Sequence, residues 1–228
     1  MPQYFENDKN LKSQLKKINY SIFNKNFTFY TDNGVFAKNG VDYGSKLLLE
    51  TVVDSAFSYH SILDVGCGYG TLGIILNKVY NCPTTMIDIN KRALHLTKRN
   101  ILENKCNDTL VFESDAYEKI ETKYDLIITN PPIHAGKKKV YEILLEAKNH
   151  KLPIVSFDCP TGPSEIIRNN VNGYLVKAND IKEMSNKVNS VLQDDKKLKE
   201  FSDKAELDID KFNINSIINK WINILCTI

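Results

Sequence analysis

No apolar run in the 228-residue chain approaches the roughly 20 residues that a membrane-spanning helix needs. An excess of charge is also missing, because 30 Lys and Arg stand against 28 Asp and Glu, a formal charge of +2. That balance offers no global attraction for a nucleic acid or a membrane, so any RNA contact has to be a local patch. Cysteine is sparse and scattered. Cys67, Cys82, Cys106, Cys159 and Cys226 form no CxxC pair, and no His falls at metal-ligand spacing, so neither a disulfide framework nor a metal site is expected. The opening residues, Met1 to Asp8, lack a basic end followed by an apolar stretch, which leads to the expectation of a soluble, cytoplasmic protein with reduced thiols. Internal repeats and low-complexity linkers are absent too. What is present, 42% hydrophobic and 25% charged residues, is globular in proportion and excludes whole-chain disorder.

Residues 1–24 are polar and rich in Lys and Asn, with weak helical spacing at Leu11, Leu15 and Ile18, and are expected to form a partly mobile arm. Two β-prone runs, Phe27 to Thr31 and Val35 to Ala37, flank Asp32-Asn33-Gly34, which predicts a hairpin closed by that Asn-Gly turn. Asp42 is placed to cap a helix through Val52. From Ile62 the pattern alternates. Strands are predicted at Ile62 to Val65, Thr84 to Asp88, Thr109 to Glu113 and Tyr124 to Thr129, with helices at Leu72 to Val79 and Asn90 to Asn104 between them. The last of these strands is apolar throughout and reads as buried on both faces, giving an α/β fold, a doubly wound, mainly parallel Rossmann-like sheet. Beyond it come a helix from Gly136 to Asn149, strands at Pro153 to Phe157 and Gly173 to Val176, and helices at Ser164 to Arg168, Asp180 to Leu192, Lys196 to Ala205 and Ile214 to Leu225.

The chemistry concentrates at strand ends. Asp64-Val65-Gly66-Cys67-Gly68-Tyr69-Gly70 follows a strand and opens a helix, where Gly66, Gly68 and Gly70 let backbone approach a ligand facing the helix N-terminus. Asp88 ends the next strand, where a carboxylate can accept from a ribose diol, and Asp115 follows the third. The spacing G-C-G-Y-G differs from the dinucleotide pattern GxGxxG and favours S-adenosylmethionine, which has no pyrophosphate to cradle. The fourth strand ends in Asn130-Pro131-Pro132-Ile133.

Gly34-Val35-Phe36, Asp42-Tyr43-Gly44-Ser45, the glycine loop and Asn130-Pro131-Pro132-Ile133-His134-Ala135-Gly136 together resemble class I methyltransferases of the small-domain type, and within them the RsmC-like ribosomal RNA guanine-N2 group. The resemblance covers residues about 20–145. It implies that Asp64, Gly66, Gly68, Gly70, Asp88 and Asp115 bind S-adenosylmethionine, Asp88 at the ribose and Asp115 on the adenine side. It also implies that Asn130, Pro131 and Pro132 form the catalytic set, with RNA, in particular ribosomal RNA or a ribosomal particle, as substrate. Ile133 stands where many adenine-N6 enzymes carry an aromatic residue, a departure that favours guanine. Lys137, Lys138 and Lys139 are candidates for phosphate contact or a solvated helix face.

After about residue 145 the methyltransferase pattern stops. Leu144 to Ala147, Leu152 to Ile167 and Asn172 to Val176 resemble the C-terminal part of family 4 retaining glycosyltransferases, in which two glutamates eight positions apart help hold a sugar nucleotide. Glu146 matches the second of these positions, and Lys138 occupies the first. The expected organisation is therefore an arm at 1–24, a methyltransferase domain at 25–148, and a glycosyltransferase-like segment at 149–228 that completes or flanks the sheet. A sugar-nucleotide enzyme using Glu146 and Glu165, and an inactive RNA-binding module, are the alternative functions.

Overall fold

The computed structural model describes residues 11–55, 57–131, 137–160, 162–213 and 218 of the chain. These fall into two compact units, Met1–Lys139 and Val140–Ile228. Among the described residues no helix is long and apolar enough to cross a membrane.

The first unit opens with a hairpin, but not the one the Asn-Gly signal predicts. β1 (Lys16–Ile22) pairs antiparallel with β2 (Lys25–Thr31), so residues expected in a mobile arm form a strand. Its turn is Phe23-Asn24, with φ of 53° and 56°, the left-handed pair that a type I′ hairpin turn requires. The segment after β2 forms turns instead of a second strand because its polar groups are tied elsewhere. The Asp32 carboxylate accepts from Ser13, the Gln14 backbone, the Asn33 backbone and Arg92. Burial opposes the charge of Asp32, yet these donors outweigh it and hold the carboxyl below its usual pKa. Asn90 Nδ2 takes the Gly34 carbonyl at 2.9 Å, and the Thr31 hydroxyl donates to the Lys38 carbonyl at 2.7 Å.

Next come α1 (Tyr43–Asp54), β3 (Ile62–Val65), α2 (Thr71–Tyr80), β4 (Thr84–Asp88), α3 (Lys91–Glu103), β5 (Thr109–Glu113) and β6 (Leu126–Thr129). The four strands form one parallel sheet in the order β5-β4-β3-β6. Parallel strands need crossover connections, which α2 and α3 supply between β3, β4 and β5. The central strands are runs of large apolar or β-branched side chains. Ile62, Leu63, Met86 and Ile87 are fully buried, as are Ile74, Ile75 and Leu76 of α2. β6 departs from the expectation of burial on both faces: only Ile128 is buried, and the other three residues are half-buried. The reason is its place, since among the described residues β6 ladders with β3 alone and is the outer strand.

The hairpin is fastened to α3 by amides. Asn100, wholly buried, accepts from the Tyr30 backbone at 2.7 Å and donates to the carbonyls of Tyr30 at 3.0 Å and Tyr69 at 2.8 Å. One turn on, Asn104 makes the same paired bonds with Thr28, at 3.0 and 2.8 Å. Phe29 meets the Tyr69 ring edge-on at 5.8 Å between centroids, a favoured aromatic geometry. The strand edge that β1 leaves open is thus satisfied by side chains instead of a further strand.

The second unit contains most of α4 (Lys137–Asn149), then β7 (Ile154–Asp158), α5 (Pro163–Ile166), β8 (Gly173–Lys177), α6 (Ile181–Leu192), α7 (Asp195–Asp203) and a 3-10 turn at Ile209–Phe212. β7 and β8 pair with each other as a separate two-stranded parallel sheet. Val140, Leu144 and Ile166 pack with Tyr141, Leu145, Ile154 and Phe212, and Tyr174, Val191 and Phe201 pack with Val155. Lys148 is almost wholly buried, and its ammonium donates to the carbonyls of Ile166 at 3.0 Å and Leu207 at 2.8 Å. Burial holds its pKa below the ordinary lysine value. The helix predicted over 214–225 lies outside the described residues apart from Ile218.

Candidate active site

Strand register brings the expected residues together. β3 stands between β4 and β6, with Val65 opposite Ile87 on one side and Thr129 on the other. The residue after each partner is therefore Gly66 between Asp88 and Asn130. Neighbouring strands lie roughly 4.8 Å apart, so the glycine loop, an acidic strand end and an amide strand end share one rim of the sheet. Thr129 reinforces that register by donating its hydroxyl hydrogen to the Val65 carbonyl at 2.9 Å.

The loop needs its glycines for two different reasons. Gly66, Gly68 and Gly70 all have positive φ, 71°, 57° and 93°, a region that costs an L-residue roughly 1–2 kcal/mol. A Cβ at Gly66 or Gly68 would meet nothing within 4 Å, whereas one at Gly70 would stand 2.8 Å from Ile74 and 3.0 Å from Thr97. The first two glycines border open space, and the third lets the loop pack on α2 and α3. Ile87 closes the loop from beneath, its carbonyl accepting from Gly66 and Cys67, both at 2.9 Å. Thr97 holds the Gly68 carbonyl at 2.8 Å.

Asp88 belongs to the rim: its carboxylate accepts from the Gly68 backbone at 2.8 Å and from the Asn90 backbone at 2.8 Å. A carboxylate oxygen can accept more than one such bond. Asp64 is placed differently. It is 1% exposed, and one oxygen accepts from the Gly73 backbone at 2.9 Å in the first turn of α2, capping a helix whose N-cap is Gly70 and has no side-chain cap. Its other oxygen, Oδ1, has no hydrogen-bond partner. Burial, opposed by the Gly73 bond and reinforced by the charge of Asp88, pushes the Asp64 carboxyl up to about 7. Asp115 lies exposed in the turn after β5. Cys67 is inside the loop, yet burial and the neighbouring Asp88 and Asp64 drive its thiol pKa well above the usual value, which keeps it from acting as a nucleophile.

Asn130 is half-buried, and its Nδ2 donates to Asp42 Oδ1 at 3.0 Å and to Ser45 Oγ at 3.0 Å. Asp42 also caps α1, accepting from the Ser45 backbone at 3.1 Å and its hydroxyl at 2.7 Å. Pro131 follows, half-buried, and Pro132, like Ile133 and His134, lies outside the described residues. Among the described residues no three His, Cys, Asp or Glu side chains are grouped to hold a metal ion. Reading the sequence missed Asn90, Thr97, Asn100 and Asn104. Their signal was available, since Thr97, Asn100 and Asn104 follow one another at helical spacing on the apolar face of α3, where polar side chains have to find partners.

The methyltransferase small-domain family model matches residues 26–153, over half of the chain and all of the rim described above. The chain belongs to that family. Members similar to it include the uncharacterized protein YbxB of Bacillus subtilis, 37% identical over 150 residues, which span 64% of this chain and 74% of that protein. Ribosomal RNA small subunit methyltransferase C of Haemophilus influenzae is 36% identical over 178 residues, spanning 74% of this chain and 52% of the relative. This small-domain chain therefore spans about half the length of that relative. Among solved structures, the Thermus thermophilus 16S rRNA N2 G1207 methyltransferase RsmC, in complex with AdoMet and guanosine, shares the fold with a TM-score of 0.52 and 24% identity, over 59% of this chain and 39% of that one. A second family model, glycosyl transferases group 1, matches residues 143–208. There Glu165 accepts from the Tyr141 hydroxyl, and Glu146 is half-buried in α4.

Proposed function

We propose that this chain is an S-adenosylmethionine-dependent methyltransferase acting on an exocyclic base amine of RNA, guanine N2 of ribosomal RNA, in the cytoplasm. The observation that carries the reading is the register that sets Gly66 between Asp88 and Asn130. The activities of the Haemophilus and Thermus relatives support it, and the sugar-nucleotide alternative is not favoured.

The residues fit the cofactor. Open space beside Gly66 and Gly68 accepts a ligand close to backbone, Asp88 is the ribose acceptor, and Asp115 borders the adenine side. Asp64 contributes from below by fixing the α2 N-terminus that faces the ligand. Bound there, S-adenosylmethionine supplies an electrophilic methyl group. An exocyclic amine is a poor nucleophile because its lone pair is delocalised into the ring. Asn130 and the Pro131 carbonyl accept its two N–H bonds, draw the nitrogen towards tetrahedral geometry and orient its lone pair, with Pro132 stiffening the strand exit. Catalysis then comes from positioning and electrostatics without a covalent enzyme intermediate. The segment from residue 149 onward is a glycosyltransferase-derived appendage to the methyltransferase domain.

The test is transfer of labelled methyl to a ribosomal RNA fragment by the wild-type chain and by Asn130→Ala. Loss of transfer with S-adenosylmethionine affinity retained is expected, and undiminished turnover by Asn130→Ala removes Asn130 from the mechanism.

A further inference from the structure

We infer that Asp42 and Ser45 are positioning residues that lock the Asn130 amide in one orientation, so that the site presents substrate with an acceptor and never a donor. The inference rests on the methyl-transfer reading above and adds to it what selects the substrate atom. An Asn side chain can flip to exchange its oxygen and nitrogen, and the two orientations differ only in hydrogen bonding. Here the choice is forced. Asp42 is an acceptor when ionised, and Asn130 Nδ2 lies 3.0 Å from its Oδ1. The second Nδ2 hydrogen goes to Ser45 Oγ, 3.0 Å away, whose own hydrogen is committed to Asp42 Oδ2 at 2.7 Å. Both hydrogens of the Asn130 amide are thus turned into the protein, and among the described residues Oδ1 accepts no hydrogen bond.

Gly44 is part of the same device. It sits in the first turn of α1, between the two partners, and a Cβ there would stand 3.1 Å from Asn130 Oδ1 and 3.2 Å from Asp42 Oδ1. The close approach of helix to amide therefore depends on the missing side chain. A locked acceptor welcomes a group that carries N–H, such as an exocyclic amine. A ring nitrogen with a bare lone pair, or a carbonyl oxygen, meets Oδ1 lone pair to lone pair and is rejected. Asp42, Gly44 and Ser45 thereby read the chemical class of the atom to be methylated, although none of them has to touch it.

Four variants test this: Asp42→Asn, Asn130→Asp, the exchange Asp42→Asn/Asn130→Asp, and Gly44→Ala. Asp42→Asn lets the Asn130 amide flip, and a misaligned acceptor lowers single-turnover methyl transfer by about 100-fold, with S-adenosylmethionine affinity by calorimetry unchanged within about twofold. Asn130→Asp places two carboxylates face to face and is similarly impaired, regaining activity as pH falls and one proton is shared. In the exchange, the amide introduced on the α1 side donates to the carboxylate introduced at the strand end and leaves an oxygen there for the amine, so activity rises at least about tenfold above either single variant. Gly44→Ala favours the helix yet presses on Asn130 Oδ1, so thermal stability is kept or raised while turnover falls. An exchange no better than the single variants, or Asp42→Asn with wild-type turnover, overturns the proposal. If the wild-type chain transfers no methyl group at all, the functional reading fails by itself. The lock is then judged from the Asn130 side-chain amide protons by NMR, assigned by their loss in Asn130→Asp. Slowed exchange that is lost in Asp42→Ala upholds the lock, and fast exchange in the wild type overturns it.

Discussion

Asp64→Asn is predicted to do little below about pH 4 and to stabilise the chain increasingly as pH rises towards 7. The carboxyl is fully buried with Oδ1 unpartnered, and burial raises its pKa from 3.8 to about 7 in the folded chain. Between those values the folded chain holds a proton that the unfolded chain has released. Stability is therefore full below about pH 4 and declines as pH rises until Asp64 ionises near 7. At ~1.4 kcal/mol per pH unit, the interval from pH 5 to 7 amounts to about 3 kcal/mol, a large share of the 5–15 kcal/mol typical of a domain. Asn keeps a carbonyl for the Gly73 N–H and has no charge to desolvate. Its amide leaves a donor unpaired, but so does the protonated carboxyl that it replaces at low pH. Urea unfolding of both proteins, followed by circular dichroism at pH 5 and pH 9 without cofactor, measures the difference directly. The variant should gain about 3 kcal/mol on the wild type between the two pH values. Parallel stability–pH curves would falsify the account of Asp64 as a buried acid.

Three further outcomes follow from the geometry. Gly73→Ala puts a Cβ 2.5 Å from Met86 Cγ and 3.2 Å from the Asp64 carboxylate, and overpacking of this kind costs about 1–3 kcal/mol, to be read as a lowered thermal midpoint. Gly68→Ala meets no atom and costs roughly 1–2 kcal/mol for its positive φ, so a folded protein with weakened S-adenosylmethionine binding by calorimetry is expected. Asn100→Ala strips partners from the Tyr30 N–H and the Tyr30 and Tyr69 carbonyls, at about 2–4 kcal/mol for a buried amide network. Its signature is faster hydrogen exchange at the Tyr30 amide.

The sheet and its rim were legible because the residues that build them are locally unambiguous. Ile62 to Val65 and Thr84 to Asp88 are short apolar or β-branched runs closed by a glycine loop or a carboxylate, and the loop cannot be a helix. The hairpin was obscured by competing signals. Leu11, Leu15 and Ile18 imitate a helical turn, whereas Ile18, Tyr20 and Ile22 alternate as the strand does, and the turn that closes it, Phe23-Asn24, lacks glycine. Asn33-Gly34 has the stronger hairpin signature but is drawn away by Asn90 and by the neighbouring Asp32, which is itself held by Ser13, Gln14 and Arg92, partners distant in sequence. The role of Asp64 was hidden for a similar reason. An acidic residue before a glycine loop suggests a ligand contact, and only the fold shows its carboxylate turned under α2. Asn130 was recognisable from its motif, while its partners Asp42 and Ser45 lie more than eighty residues earlier and no spacing rule joins them.

The family match begins at residue 26, one residue into β2. A recombinant domain trimmed to that boundary would lose all of β1, the turn and Lys25, leaving the rest of β2 with its outer backbone groups bare. Exposed edges of that kind recruit other chains. The sensible place to start an expressed fragment is upstream of Ser13 and Gln14, so that Asp32 keeps both donors and the hairpin keeps its own partner.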